Sequence, residues 1–272
     1  MAERYAVRLV VAYDGTDFCG WQRQPGVRTV QGVLEEAIAT MSGSPAKTRG
    51  VSRTDSGVHA YDQRVAFDTE RPIGEYGWQQ GLNQHLPDDV RVRAVRFDEP
   101  GYDPRHHARG KLYRYLTQVG YARDPLLRHR ACYLGASHRT PGPRVRPETI
   151  DAWLDVDAMR VAARALTGTH DFGAFQASND ERTDRVRTVH RIDVMPDFSG
   201  RTDVLAIEVE GDGFLKNMVR ILAGTLLDVG RRHRPPTDID KLLADRDRRE
   251  AGPTAPAAGL YLVRVDLHES AG

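Results

Sequence analysis

Between residues 4 and 13 apolar and polar positions alternate and Val and Leu dominate, which predicts a strand ending at the turn Asp14-Gly15. Val30, Val33, Leu34, Ala37, Ile38 and Met41 then recur at helical spacing, with Thr29 placed to cap that helix. Residues 47–52 and 63–69 predict short strands, residues 75–86 a helix stopped by Pro87, and residues 90–98 another alternating strand. The order repeats downstream with insertions. Residues 111–119 predict a strand and residues 157–166 a helix with Met159, Ala162, Ala163 and Leu166 inward. Residues 189–195 and 204–210 predict an antiparallel pair, 214–229 a long helix, 238–245 a short one and 260–267 a final strand. Two β-α-β-β-α-β series in tandem predict an α+β fold of two ferredoxin-like subdomains, each a sheet backed by helices. Residues 137–143 and 179–187 are polar and read as surface connectors.

Composition narrows the class. At 272 residues, 40% hydrophobic and 28% charged, the chain has the balance of an ordinary globular protein. No apolar run approaches the roughly 18 residues of a membrane span, and the amino terminus lacks the pattern of a signal peptide, so a cytoplasmic location is expected. Cys19 and Cys132 give neither a disulfide framework nor metal-ligand spacing, and His106-His107 and Thr169-His170-Asp171 stand isolated, so no metal is expected. The net charge of +1 hides an asymmetry. Residues 101–147 carry Arg105, Arg109, Lys111, Arg114, Arg123, Arg128, Arg130, Arg139, Arg144 and Arg146 against only Asp103 and Asp124. A field of +8 in one segment attracts a polyanion, or serves only to solvate a surface.

Three segments carry candidate chemistry. In Val51-Ser52-Arg53-Thr54-Asp55-Ser56-Gly57-Val58-His59 a strand ends in a polar turn. Asp55 there is an ordinary turn residue by type, but Arg53 two positions earlier is placed to keep its carboxylate ionised, as a nucleophile or base requires. In Lys111-Leu112-Tyr113-Arg114-Tyr115 alternation puts Tyr113 and Tyr115 on one face, as base-stacking platforms or as core. In Gly213-Phe214-Leu215-Lys216-Asn217-Met218-Val219-Arg220 the spacing predicts Lys216 and Arg220 on one helical face near a helix start. Cations in a first turn oppose the helix dipole, which points to an anionic partner or to a lysine that simply reaches solvent.

These residues resemble the tRNA pseudouridine synthase A family over almost the whole chain. The matching segments are Tyr13-Asp14-Gly15-Thr16, Gly20-Trp21-Gln22-Arg23-Gln24, Thr29-Val30-Gln31, Arg53-Thr54-Asp55-Ser56-Gly57-Val58-His59, Asn83 with Leu86-Pro87, and Tyr113-Arg114-Tyr115. Phe214 with Met218-Val219-Arg220, Gly224-Thr225-Leu226, Val229-Gly230 and Ala258-Gly259-Leu260-Tyr261-Leu262-Val263 follow in order. The resemblance implies a mainly antiparallel sheet with a central cleft and helices on the other face, divided as 1–104, carrying the catalytic aspartate, and 105–272, carrying the stacking tyrosine and basic helix. It implies Asp55 as the catalytic carboxylate, Tyr113 as the residue that stacks on the target base, and Arg53 and Arg220 around the carboxylate, with Arg220 its ion-pair partner. Leu260 would line the pocket. Arg23, Gln24, Arg105, Arg109, Lys111 and Lys216 are further candidates for RNA contact. The implied activity is isomerisation of uridine to pseudouridine at positions 38, 39 and 40 of the tRNA anticodon stem-loop, by a homodimer without cofactor or metal.

The chain departs from the family pattern at three places. Ser52 stands where the family has Gly, Tyr102-Asp103-Pro104-Arg105 replaces a Phe-His-Ala-Arg pattern, and the segment from residue 137 to 153 is longer. These bear on substrate choice, so the same reaction on another RNA or a free uridine nucleotide is an alternative, as is a non-catalytic RNA-binding protein. An acidic Asp55 facing phosphates speaks against the last, because binding alone gains nothing from a repelling charge.

Overall fold

The computed structural model describes residues 4–135 and 149–268. The polar loop 137–143, with Arg139, and Arg144 and Arg146 beyond it lie outside the described residues, as does the insertion up to residue 148. The chain divides into two compact units, residues 1–111 with 261–272, and residues 112–260.

In the first unit, β1 (Tyr5–Tyr13) buries Val7, Leu9 and Val11, as its alternation requires. The helix α1 (Val30–Ser42) starts where expected: the Thr29 hydroxyl accepts the Gly32 N–H at 3.2 Å. It buries Leu34, Ala37 and Ile38. After β2 (Arg49–Gly50) and β3 (His59–Thr69) come α2 (Glu75–His85) and β4 (Val90–Asp98). Trp78 of α2 is fully buried, edge-to-face with Phe67 of β3 at 5.2 Å. β1 pairs antiparallel with both β3 and β4. The free edge of β3 is shared: β2 takes one end antiparallel, Arg49 opposite Ala66, and β10 (Leu260–Leu267) takes the other in parallel, Tyr261 opposite His59.

The strand expected over residues 47–52 shrinks to the two residues of β2 because side chains take the backbone groups that a longer ladder would use. The Glu35 carboxylate accepts the Thr48 N–H at 2.9 Å, and the Gln63 amide accepts the Ser52 N–H at 3.1 Å and donates to its carbonyl.

The short helix α3 (Pro104–His107) leads into β5 (Ala108–Gly120). The second unit then contains β6 (Cys132–Gly135), α4 (Ile150–Trp153), α5 (Val156–Ala165), β7 (Gly168–Asp171), β8 (Val186–Met195), β9 (Val204–Gly211), α6 (Met218–Gly230) and α7 (Asp238–Asp245). Its strands run in the order β5-β9-β8-β7, with β6 parallel beside β5. α5 packs on α6 and β8, and Met159, Ile207, Val209, Ile221, Leu222 and Leu226 are buried. Each such side chain stabilises the fold by about 1.5–3 kcal/mol.

The long helix begins four residues later than its apolar spacing suggests. Asn217 sits in the left-handed region at φ 61°, and the Lys216 carbonyl and N–H are engaged by the Ala177 N–H (3.1 Å) and the Asp180 carboxylate (3.2 Å). A residue whose main-chain groups are spent outside the helix cannot join its ladder. Lys216 therefore precedes α6 and does not share a helical face with Arg220.

Candidate active site

The loop between β2 and β3 holds Asp55, and the β1–α1 loop holds it in turn. The Tyr13 and Thr54 hydroxyls lie 2.7 Å apart in a buried hydrogen bond, and the Trp21 N–H donates to the Thr54 carbonyl at 3.0 Å. The Ser56 hydroxyl and the Gly57 N–H donate to the Phe18 carbonyl at 3.1 and 3.3 Å. These bonds require close backbone approach. A Cβ on Gly15 would lie 2.0 Å from the Val58 carbonyl oxygen, and Gly20, at φ 89°, would place one 2.7 Å from that of Thr54. The Val58 N–H donates to the Asp55 carbonyl at 3.2 Å and closes the turn. Asp55 itself is half-buried between buried Thr54 and exposed Ser56. A carboxylate so placed on a fixed loop is in position to meet a ligand without reorganising.

Arg53 does not do what its spacing from Asp55 suggested. It is exposed and makes no ion pair or hydrogen bond among the described residues, so it does not hold the Asp55 carboxylate in an ion pair. Its guanidinium remains presented to a ligand. Ser52, beside it, is buried, and its hydroxyl finds no hydrogen-bond partner among the described residues.

In the second unit, Tyr113 of β5 is buried edge-to-face against Phe214, with ring centroids 5.4 Å apart. Tyr115 is fully buried and donates to the Pro256 carbonyl at 2.8 Å; it is a core residue and offers no exposed stacking face. Arg220, in the first turn of α6, donates from Nε to the Ala255 carbonyl at 2.8 Å and from Nη1 to Asn217 at 3.0 Å. The Ala255 N–H returns a bond to the Arg220 carbonyl at 3.1 Å, which fixes the segment leading to buried Leu260. The left-handed Asn217 thus has a use: it turns its amide oxygen onto the guanidinium. Residues 179–187 are not a free connector. Gln176 donates to the Asp180 and Arg182 carbonyls, and the Arg182 guanidinium on Asp180 holds that carboxyl well below its usual range.

The basic candidates divide by partner. Arg23 is exposed and paired with buried Glu35 at 3.1 Å, and Gln24 is exposed near the Cys19 carbonyl. Arg109 is exposed, without an ion pair among the described residues, and Lys111 reaches the Val51 carbonyl at 3.4 Å. The Lys216 side chain is exposed. Arg105 is paired with Asp103, which caps α3 by accepting the Arg105 N–H at 3.0 Å. Asp103 therefore adds little free negative charge to the surface. Arg114 is bound to Glu208 at 2.5 Å and leans on the Phe198 ring, so it is structural.

Residue types and spacing did not single out Tyr13, Gln63 or Glu35 as supports of the Asp55 loop. Gln63 left a signal, because it shares the face of β3 with Val65 and Phe67, and a polar group on an apolar face needs partners. The Tyr13–Thr54 bond joins distant segments and leaves no local trace. Among the described residues no helix is long and apolar enough to cross a membrane, and no three His, Cys, Asp or Glu side chains gather as metal ligands.

Comparison with known proteins places these segments in context. The sequence profile of a family described as tRNA pseudouridine synthase matches residues 9–101 and 162–267. The chain is 42% identical over 260 residues to the tRNA pseudouridine synthase A of Geobacillus kaustophilus (strain HTA426), covering 95% of this chain and 93% of that protein. It is 42% identical over 264 residues to that of Shouchella clausii (strain KSM-K16), covering 97% and 93%. With that of Syntrophotalea carbinolica the identity is 40% over 259 residues, covering 95% of both.

Two outcomes follow from the geometry. A buried hydroxyl without a partner costs about 1–3 kcal/mol, so Ser52→Ala is expected to raise stability by about 1 kcal/mol in urea unfolding; a loss would mean that the hydroxyl is satisfied. Asp103 is held at about 2 by the Arg105 hydrogen bonds, below its usual 3.8. A lowered carboxyl stabilises the fold above its unfolded value and loses that contribution as pH falls toward about 2; Arg105 is half exposed, so the effect is small. A carbon-13 titration of the Asp103 carboxyl should show its midpoint near 2, and a midpoint near 4 would exclude the pair in solution.

Proposed function

The chain belongs to the tRNA pseudouridine synthase family, and on that premise we propose that it isomerises uridine to pseudouridine in the anticodon stem-loop of tRNA, at positions 38, 39 and 40, with Asp55 as catalytic carboxylate. The observation that carries the assignment of Asp55 is its place, half-buried in a loop fixed on both sides by backbone hydrogen bonds.

The reaction breaks the N1–C1′ bond of uridine, turns the uracil and joins C5 to C1′; the C5 proton is lost and N1 gains one, so atoms balance without a redox partner. An ionised carboxylate serves either as nucleophile at C1′ or as base toward a ribose proton, and both routes need it aimed at the sugar. Tyr113 stacks on the base and keeps the detached uracil in place, Arg220 and Arg53 contact the RNA substrate, and Leu260 lines its pocket. The target base must leave its helix, which costs a few kcal/mol that contacts to the RNA backbone offset. Arg109, Lys111 and Lys216 are the proposed sources of those contacts, with Arg23, Gln24 and Arg105 at their margin. The working species is a homodimer in the cytoplasm, and no cofactor takes part.

Pseudouridine formation should be measured on unmodified tRNA, on other RNAs and on free uridine nucleotides. Activity is expected on tRNA, falling roughly 10³-fold or more in Asp55→Ala while tRNA affinity stays within a few-fold. Undiminished product in the variant would remove Asp55 from the mechanism, and product from nucleotides alone would change the substrate. Sedimentation equilibrium should give twice the mass of one chain; a monomer would refute the dimer.

A further inference from the structure

We infer that the face of the first unit's sheet bearing Arg8 carries a pocket for a backbone phosphate of RNA, formed by Arg8, Arg64, Arg96 and the hydroxyl of Tyr102. That an RNA phosphate fills it rests on the function proposed above. Strand register places the arginines together. Arg8 of β1 lies directly opposite Arg96 of β4, and Val10, two residues along β1, lies opposite Arg64 of β3. All three therefore project from the same face, the one opposite to buried Val7, Leu9 and Val11. Tyr102 packs on that face against Ala6 and Ala66, with the Arg8 guanidinium 4.6 Å above its ring. A cavity of about 40 Å³ lies among these four residues, with Pro104 and Leu267 at its wall. One water needs about 10–15 Å³, so the space admits a tetrahedral oxyanion group.

Two features of the pocket suit an anion. Like charges directly opposite on neighbouring strands repel, yet Arg8 faces Arg96. The Tyr102 hydroxyl is buried with no partner among the described residues, where a phenylalanine would pack as well. Burial pushes the Tyr102 phenol above its usual value, so the group stays protonated and acts as a donor. Each guanidinium already meets one carboxylate, Arg8 with Asp98 (2.9 Å), Arg64 with Asp62 (2.6 Å) and Arg96 with Glu75 (3.0 Å). Five N–H groups on each arginine leave donors over after those bonds. Three guanidiniums with N–H groups left over and one hydroxyl, bordering a cavity without a lining carboxylate, suit a phosphate.

Tyr102→Phe keeps the ring and removes only the hydroxyl, so it tests the pocket without emptying the core. Inorganic phosphate should raise the melting midpoint of the wild type above that in chloride of equal ionic strength, and Tyr102→Phe should lose that gain. With unmodified tRNA the variant should raise KM about tenfold, with the loss falling on KM rather than kcat. Arg96→Gln should lower the slope of log affinity against log salt by about one. Equal phosphate responses and equal KM in wild type and Tyr102→Phe would overturn the pocket. A phosphate response lost without a change in KM would overturn RNA as the occupant and assign the pocket to a free oxyanion. A wild type that makes no pseudouridine would overturn the function, while the phosphate measurement still decides the pocket.

Discussion

The chemistry of the first unit depends on how closely two loops approach each other. The segment carrying Asp55 lies against the β1–α1 loop at distances that exclude a side chain at Gly15 and Gly20. That approach lets the Trp21 N–H and the Phe18 carbonyl reach the turn, and lets the Tyr13 hydroxyl reach Thr54. Gln63 locks the other end of the segment at Ser52. A carboxylate on a free loop would lose conformational entropy each time it met a substrate; one on a loop already ordered has incurred that cost during folding. The second unit uses the same device around Arg220, whose side chain and main chain both grip Ala255.

Charge in this protein is managed more than it is displayed. The basic segment that drew attention by its excess contributes less free charge than its count implies. Arg114 is consumed by Glu208 and Arg105 by Asp103, and the opposed arginines on the first sheet each have a carboxylate at hand. Such pairing keeps the field around the protein moderate while leaving unspent N–H groups in defined places. Binding of RNA by a chain of net charge +1 then depends on geometry as much as on long-range attraction.

Elements with a clear period were legible in the sequence: β1, α1, α2, β4, α5 and β9 begin and end close to where apolar spacing places them. The misreadings have a common cause, which is side chains competing with the backbone. Glu35 and Gln63 cut short the strand before Asp55, and Asp180 with Asn217 delays α6 beyond Lys216. Nothing local announces such partners, because they come from other elements. The candidate site was legible through motif order more than through spacing. Arg53 looked like the companion of Asp55 because it is two residues away, yet two residues along an irregular turn do not fix a direction as they do in a strand. Tyr115 looked like the twin of Tyr113 for the opposite reason: they do share a strand, but Tyr115 is wholly buried with its hydroxyl bound to the Pro256 carbonyl.

The final strand has a consequence for how the protein assembles. β10 completes the edge of β3 in parallel, and the Val265 N–H donates to Asp62 across 203 residues of chain. The sheet that carries the Asp55 loop is thus finished by residues made long after the rest of it. During synthesis at the ribosome the first unit must wait, with one edge of β3 partly bare, while the whole second unit emerges. Closing so long a loop is slow even though its entropic cost grows only with the logarithm of its length. Asp55 reaches its finished surroundings only when nearly all of the chain has been made.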